Sequence, residues 1–327
     1  MVNVKNYNQI IPKGINHSMQ NAPVLISVYN RRMHLEQCVN SLKLNTKSKD
    51  TDLFIVSDGP NTIEETDSIE DVRRYIGSIN GFKSVTPIIR ENNLGGHDSS
   101  IQAITYLLKK YERLIFLEDD NIVSISFLDY MNSALQIYAE DLSIFSVSGY
   151  NYPVRMPDDY LFEVYKSRHF SAWGVGLWWN RWEKINWELP DAKTVAVESK
   201  QSSGLNSIGE HISALLLYSI NNKKMAGDVL ITYHQFKNDL YSVFPVVSRV
   251  RNLGHDGTGE HCLIDQTYTQ QHLDTGSTCI FQKELYYDPK IAKILKRFFL
   301  IPRRTKVIWY IGRFIPSALK RQLNKLR

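Results

Sequence analysis

Three consecutive carboxylates, Glu118, Asp119 and Asp120, end the apolar run Leu114-Ile115-Phe116-Leu117. Adjacent like charges repel and lose hydration when they are drawn toward a core, so a fold tolerates them where a cation neutralises them. Carboxylate oxygens at a rigid strand end suit a hard divalent ion, Mg²⁺ or Mn²⁺, of the kind that also binds phosphate oxygens. On the triplet alone, a solvated acidic loop is an equal alternative. Other candidates for chemistry are His97, which follows Gly95-Gly96, and His255 and His261 in Gly254-His255-Asp256-Gly257-Thr258-Gly259-Glu260-His261. That segment is flexible enough for a lid, and either histidine could meet a metal or a diphosphate instead of standing idle at the surface. Neither the P-loop pattern nor a Gly-x-Gly-x-x-Gly after the first strand is present.

The elements that must position these groups are legible from apolar spacing. Pro23–Val28 reads as a buried strand, and Leu35, Val39 and Leu42 recur at helical spacing. A second strand, Leu53–Ser57, ends at the turn Asp58-Gly59-Pro60. Ile69, Val72 and Ile76 mark a helix, Val85–Ile89 a weaker strand, and Asn92–Gly96 a loop. Ser99 and Gln102 suggest a capping box for the next helix, which leads into the carboxylate strand. This alternation predicts a mostly parallel α/β sheet with helices on both faces, and ligands bind beyond the carboxyl ends of such strands. Ser27, Tyr29, Asn30, Arg31, Asp58 and Glu118–Asp120 all fall at such ends and are expected in one cleft. Further on, the pattern predicts a strand at Ile144–Ser148, a helix over 206–222, another from about Asp228, and a strand around Tyr241–Val247.

In this order, Val24 to Arg31, Val56 to Gly59, Asn92 to Gly96 and Phe116 to Asp120 resemble the GT-A nucleotide-sugar glycosyltransferases. The likeness is to family-2-like bacterial polysaccharide enzymes and to N-glycan GlcNAc-transferases with a Glu-Asp-Asp motif, and it runs over roughly residues 22–262. It implies a GT-A (Rossmann-like) fold, Mn²⁺ or Mg²⁺ as cofactor and a nucleotide-sugar donor, with uridine as the base. Residue by residue, it implies Asp120 as metal ligand, Asp119 on the ribose or sugar side, and Glu118 holding the donor; His261, from its place in the Gly-rich segment, is a second candidate metal ligand. Asp58 would meet the base and Arg31 or Arg32 the nucleotide, with Ser27, Tyr29, Asn30, Asn93 and Gly96 around the donor. An inverting enzyme of this kind needs a base for the acceptor hydroxyl. Asp228, at the start of a helix, is where the resemblance puts it, unless that side chain only caps the helix. Glu210 and Asp191 are weaker candidates. Trp173 and Gly174, in a stretch holding four of the six tryptophans, would lie beside donor sugar and acceptor, with Trp178 and Trp182 mainly structural.

Charge divides the chain. Residues 290–327 hold twelve Lys or Arg and no Asp or Glu, leaving 27 basic against 34 acidic residues in 1–289. An acidic body argues against nucleic acid as a partner. The basic tail, interleaved with Phe298, Phe299 and Trp309, points to an anionic membrane surface. We find no signal peptide and no transmembrane run, and three cysteines without metal spacing fit a reducing compartment. The expected layout is an arm over 1–21, a nucleotide-sugar half over 22–150, an acceptor half over 151–288 and a basic amphipathic helical tail over 289–327. The reading is a cytoplasmic enzyme, peripheral on the inner face of the membrane, acting on a lipid-linked or glycan acceptor. Two alternatives stand at this point: a sugar-nucleotidyltransferase, and an inactive membrane-docking scaffold of the same fold.

Overall fold

The computed structural model describes residues 20–198, 204–222, 227–257, 266–276 and 279–300. An eight-stranded sheet runs through the molecule in the order β3-β2-β1-β4-β8-β6-β9-β7. Its strands are β1 (Val24–Val28), β2 (Asp52–Ser57), β3 (Ser84–Ile89), β4 (Arg113–Glu118), β6 (Ile144–Ser148), β7 (Val164–Ser167), β8 (Val175–Trp178) and β9 (Tyr241–Pro245). The first four pair in parallel, β8 is antiparallel to both β4 and β6, and β9 runs parallel to β6. Thus the two halves expected from the sequence share one sheet.

Alternate residues of β1 and β4 feed different cores. Val24, Ile26, Ile115 and Leu117 pack on one face, while Leu25, Leu114 and Phe116 pack on the other. Burial on both faces explains why these strands read as unbroken apolar runs. Helices α1 (Arg32–Lys43), α2 (Thr66–Ser78) and α3 (Gly96–Tyr111) join the parallel strands. α3 opens at Gly96, not at the expected Ser99–Gln102 capping box. Gly95 sits at φ +82 and makes the turn, so Ser99 lies inside the helix, buried.

α4 (Phe127–Ile137) carries the chain from β4 toward β6, and Arg181 closes its carboxyl end. That buried guanidinium donates to the carbonyls of Tyr138, Ala139, Asp141 and Ile144 and lies 4.3 Å from the Trp178 ring centroid. A second, two-stranded sheet pairs β5 (Asn121–Val123) with β10 (Val250–Asn252), setting Asn252 opposite Asn121. Arg249, just before β10, is fully buried. It bonds Ser126 at 2.6 Å and Asp274 at 2.6 Å, pinning residues near 274 to the body.

The last described helix, Pro289–Phe298, is capped by Asp288, whose carboxylate accepts from Lys290 and Ile291. Ile291 and Leu295 are buried against Tyr165 and Phe244. Phe299 packs on Tyr152 and stacks on His169 and His211, and Phe298 also meets Tyr152. This corrects one expectation: Phe298 and Phe299 are engaged with protein and are not free to insert in lipid. Trp309 lies outside the described residues. No helix among the described residues is long and apolar enough to cross a membrane.

Candidate active site

β4 and β2 flank β1, while the chain proceeds from β1 through α1 to β2. The carboxyl ends of β1 and β4 therefore border the point where the strand order reverses, the crevice in which open α/β sheets bind ligands. Ser27 of β1 lies in register with Glu118 of β4. The residues that follow each strand, Arg31 on one side and Asp119-Asp120 on the other, are thereby brought together.

Arg31 neutralises the carboxylates. Its Nε donates to Asp119 Oδ2 at 3.2 Å, and its terminal nitrogen bonds Asp119 Oδ1 and, at 2.8 Å, Asp120 Oδ2. Asp120 is fixed on its other oxygen by two neutral amides, Asn121 Nδ2 at 2.9 Å and Asn252 Nδ2 at 2.8 Å. Its backbone carbonyl accepts from Leu253 at 2.9 Å. A Cβ on Gly254 would stand 2.1 Å from Asp120 Oδ2, so only glycine fits there. The antiparallel pairing of β5 with β10 is what delivers Asn252 and Gly254 to this carboxylate.

One guanidinium does not balance three acids. Burial, then the charges of Asp120, Asp228 and Asp119, push Glu118 well above the ordinary carboxylate range. Burial raises Asp119 to about 7 against the opposing pull of Arg31. Burial works against the Arg31 charge, but Asp119 and Asp120 more than offset it and hold the guanidinium above its usual pKa. A cluster with surplus negative charge, hard oxygen donors and one carboxylate oriented by two outer amides fits a divalent cation. Two orphaned buried atoms lie close by in sequence. Both ring nitrogens of His255, next to Gly254, are buried without a hydrogen-bond partner. Its ring stacks on Tyr268 at 4.4 Å and meets Trp173 edge-on at 5.7 Å. Among the described residues no three His, Cys, Asp or Glu side chains already converge as a metal cage. His261 lies outside the described residues.

Asp228 is the second residue of the helix Gly227–Lys237. Its Oδ2 accepts the N–H of Ala172 at 3.3 Å, reaching out to the aromatic stretch. Burial pushes it up to about 7, with the Ala172 bond opposing, and its charge is felt at Glu118. His97 flanks the start of this helix, where a Cβ on Gly227 would be 3.3 Å from its Nδ1. Burial lowers the His97 pKa and keeps the ring neutral.

The remaining expected residues divide between the cleft and its scaffolding. Asp58 is buried, and its carboxylate accepts from the backbone of Gly59 and of Leu94, stapling the end of β2 to the 92–96 loop. Asn93 donates to the Gly59 carbonyl at 2.8 Å, and Gly96 is exposed at the start of α3. Tyr29 donates to Glu65 at 2.7 Å, while Asn30 and Ser27 are half-buried along the rim. Trp173 is half-buried and edge-on to Tyr150 at 4.7 Å. Gly174, expected beside the donor sugar, has a packing role of its own. A Cβ would meet Val250 Cγ2 at 2.5 Å and φ is +69, so packing and backbone conformation require this glycine. Trp178 and Trp182 are buried and structural, as expected. Sequence reasoning passed over Asn252, Gly254 and the Ala172 amide, since nothing in an unpaired stretch signals which strand it will join. Arg73 was also missed. From α2 it binds the carbonyls of Asp58 and Arg90, and its place beside Val72 was the available signal.

Residues 24–176 match the family described as Glycosyl transferase family 2. No curated protein matches the chain in sequence. Among solved structures the chain is similar to the mannosyltransferase PcManGT from Pyrobaculum calidifontis in complex with GDP-Man and Mn²⁺. Identity there is 11% over 66% of this chain and 69% of that one, with a TM-score of 0.38. It is also similar to S. aureus TarS, at 13% identity over 70% of this chain and TM-score 0.37. GalNAc-T7 with UDP, GalNAc and Mn²⁺ gives 15% identity over 71% of this chain and TM-score 0.43. The chain spans 37% of the TarS chain and 44% of the GalNAc-T7 chain. Residues 24–176, which carry the parallel strands and the carboxylate cluster, therefore resemble the family 2 glycosyl transferases over a little under half of the chain.

Proposed function

We propose that this chain moves a sugar, with inversion, from a nucleotide-diphosphate donor, a UDP-sugar, to a lipid-linked or polysaccharide acceptor in the synthesis of a cell-surface glycan. The observation that carries this reading is the meeting of two unlike acidic sites. The first is the Glu118–Asp120 cluster at the strand ends, held by Arg31 and two asparagines. The second is the single half-buried Asp228, whose charge is felt at Glu118. The first suits a donor diphosphate and the second suits an acceptor hydroxyl.

Asp120 would hold a divalent cation with Asp119 beside it, His255 or His261 being placed in sequence to add a nitrogen. When bound, Mn²⁺ or Mg²⁺ supplies positive charge against the leaving nucleoside diphosphate. Arg31 adds a guanidinium on the same side, of the kind that pairs two phosphate oxygens at once. Asp228 takes the proton from the acceptor hydroxyl as its oxygen attacks the anomeric carbon from the face opposite the diphosphate. With a pKa near 7, that carboxylate is a stronger base than an ordinary aspartate and is still available at neutral pH. The half-buried Trp173 offers a ring to a sugar C–H face near Ala172, the residue that orients Asp228.

The exposed face of the Pro289–Phe298 helix carries Lys290, Lys293, Lys296 and Arg297, opposite the buried Ile291 and Leu295. Together with the acid-free stretch that follows, this supports contact with anionic lipid on the inner face of the cytoplasmic membrane, where a lipid-linked acceptor would be presented.

A donor-hydrolysis panel tests the reading. Purified protein is incubated with UDP-, GDP- and other nucleotide sugars in Mn²⁺, Mg²⁺ or chelator, and released nucleotide is measured. Slow, cation-dependent release from one UDP-sugar is expected. Absence of turnover and binding across the whole panel would overturn it.

A further inference from the structure

We propose that Arg31 is the resident counter-ion of the carboxylate pair and competes with a divalent cation for the same oxygen of Asp120. Bare metal then enters poorly, and the cation arrives efficiently only with the nucleotide, whose diphosphate draws Arg31 away. This inference rests on the proposed donor site and adds an order of events to it.

The argument is one of occupied lone pairs. Asp120 Oδ1 is held by the amides of Asn121 and Asn252 at 2.9 and 2.8 Å. Both donors are neutral and buried in the β5–β10 pairing, so this side is fixed and gains nothing from moving. Oδ2, the side to which Gly254 leaves room, is taken by Arg31 at 2.8 Å. The same guanidinium bonds both oxygens of Asp119. A cation binding Asp120 through Oδ2 therefore displaces Arg31 and also strips Asp119 of its partner, which costs the free energy of three charge-assisted bonds. Metal with diphosphate changes that balance, because the phosphate oxygens offer the released guanidinium new bidentate bonds of the same kind.

Arg31 is suited to such an exchange. It precedes α1 at the N-cap position, anchored through its carbonyl, which accepts from Leu35 at 3.1 Å. Its side chain is 22% exposed, against 5% for Asp119 and 8% for Asp120. The acids are fixed in the wall, and the arginine is the one partner with a path to solvent. Cation and nucleotide should then bind with positive coupling that passes through this side chain.

The test measures Mn²⁺ binding by electron paramagnetic resonance or calorimetry, first with protein alone and then with UDP present. Wild type should bind bare Mn²⁺ weakly, and UDP should strengthen it by about tenfold or more. Arg31→Met keeps the aliphatic stem and removes the competitor. It should bind bare Mn²⁺ about tenfold more tightly than wild type, with most of the coupling to UDP lost. Arg31→Lys, which keeps a charge but cannot span both carboxylates, should fall between the two and carries the test if the methionine variant does not fold. Bare Mn²⁺ binding no tighter in either variant than in wild type, while wild type still binds Mn²⁺ with UDP, would overturn the exchange and leave the donor site standing. Wild type that binds no Mn²⁺ even with UDP would overturn the donor-site reading itself.

Discussion

On the proposed reading, the residue on which turnover depends most is Asp228. Asp228→Asn keeps shape and the Ala172 contact but cannot accept a proton, so transfer should fall by roughly 10²-fold or more while donor affinity is retained. A transfer rate within a few-fold of wild type would reduce Asp228 to a helix-start residue. The pH dependence follows from its pKa of about 7. The base form is the active one, so the rate should climb as pH rises from 6 to 8 and level off above, and an Asp with an ordinary pKa near 3.9 would give a flat profile there. At this scale the sequence exposed the acids better than the groups that hold them. Glu118 to Asp120 stood out because charge abruptly ends an apolar run. Asn252 and Gly254 did not, because their meaning comes from a pairing with Asn121 that no local pattern encodes. Asp58 was legible as a strand-end turn residue, and the structure adds the Leu94 amide it binds.

Elements of the first half were readable because β1, β2 and β4 are buried on both faces and the intervening helices show clean 3.6-residue spacing. Legibility failed where backbone freedom or long-range contacts decide. α3 begins at a glycine pair, so its start gave no side-chain cap, and the apparent capping box lay a turn inside. The sheet order beyond β4 depends on β8 inserting between β4 and β6, a long-range choice that short apolar stretches leave open. One ion pair with a fully buried member, Arg249 with Asp274, ties down the later part of the chain. Asp274→Asn would leave a fully buried guanidinium without its ionic partner and should cost on the order of 3 kcal/mol in denaturant unfolding. A loss within about 0.5 kcal/mol, as for an exposed pair, would mean that Ser126 and the Tyr130 ring, whose centroid lies 4.8 Å from the guanidinium, suffice.

For the whole molecule, the tail divides into a docked part and a part beyond residue 300. Because Ile291, Leu295 and Phe299 are packed on the body, deletion should be made after Leu300 and not after Asp288. The truncated protein should remain folded and hydrolyse donor, yet lose much of its co-sedimentation with anionic vesicles at low salt. Eight of the twelve basic residues of 290–327 would be lost past Leu300, leaving Lys290, Lys293, Lys296 and Arg297, and each near a surface contributes on the order of 1 kcal/mol. Equal sedimentation of both proteins would reject the membrane role for that stretch. The central claim, that the strand-end carboxylates bind a nucleotide sugar through a divalent cation, is tested most directly by titrating UDP-sugar into wild type and Asp120→Asn in Mn²⁺. The substitution keeps the side chain's size and its place beside Asn121 and Asn252, but replaces an anionic oxygen ligand with an amide. Cation-dependent binding should be lost in the variant with its fold intact by circular dichroism, whereas undiminished Mn²⁺-dependent binding would contradict the account.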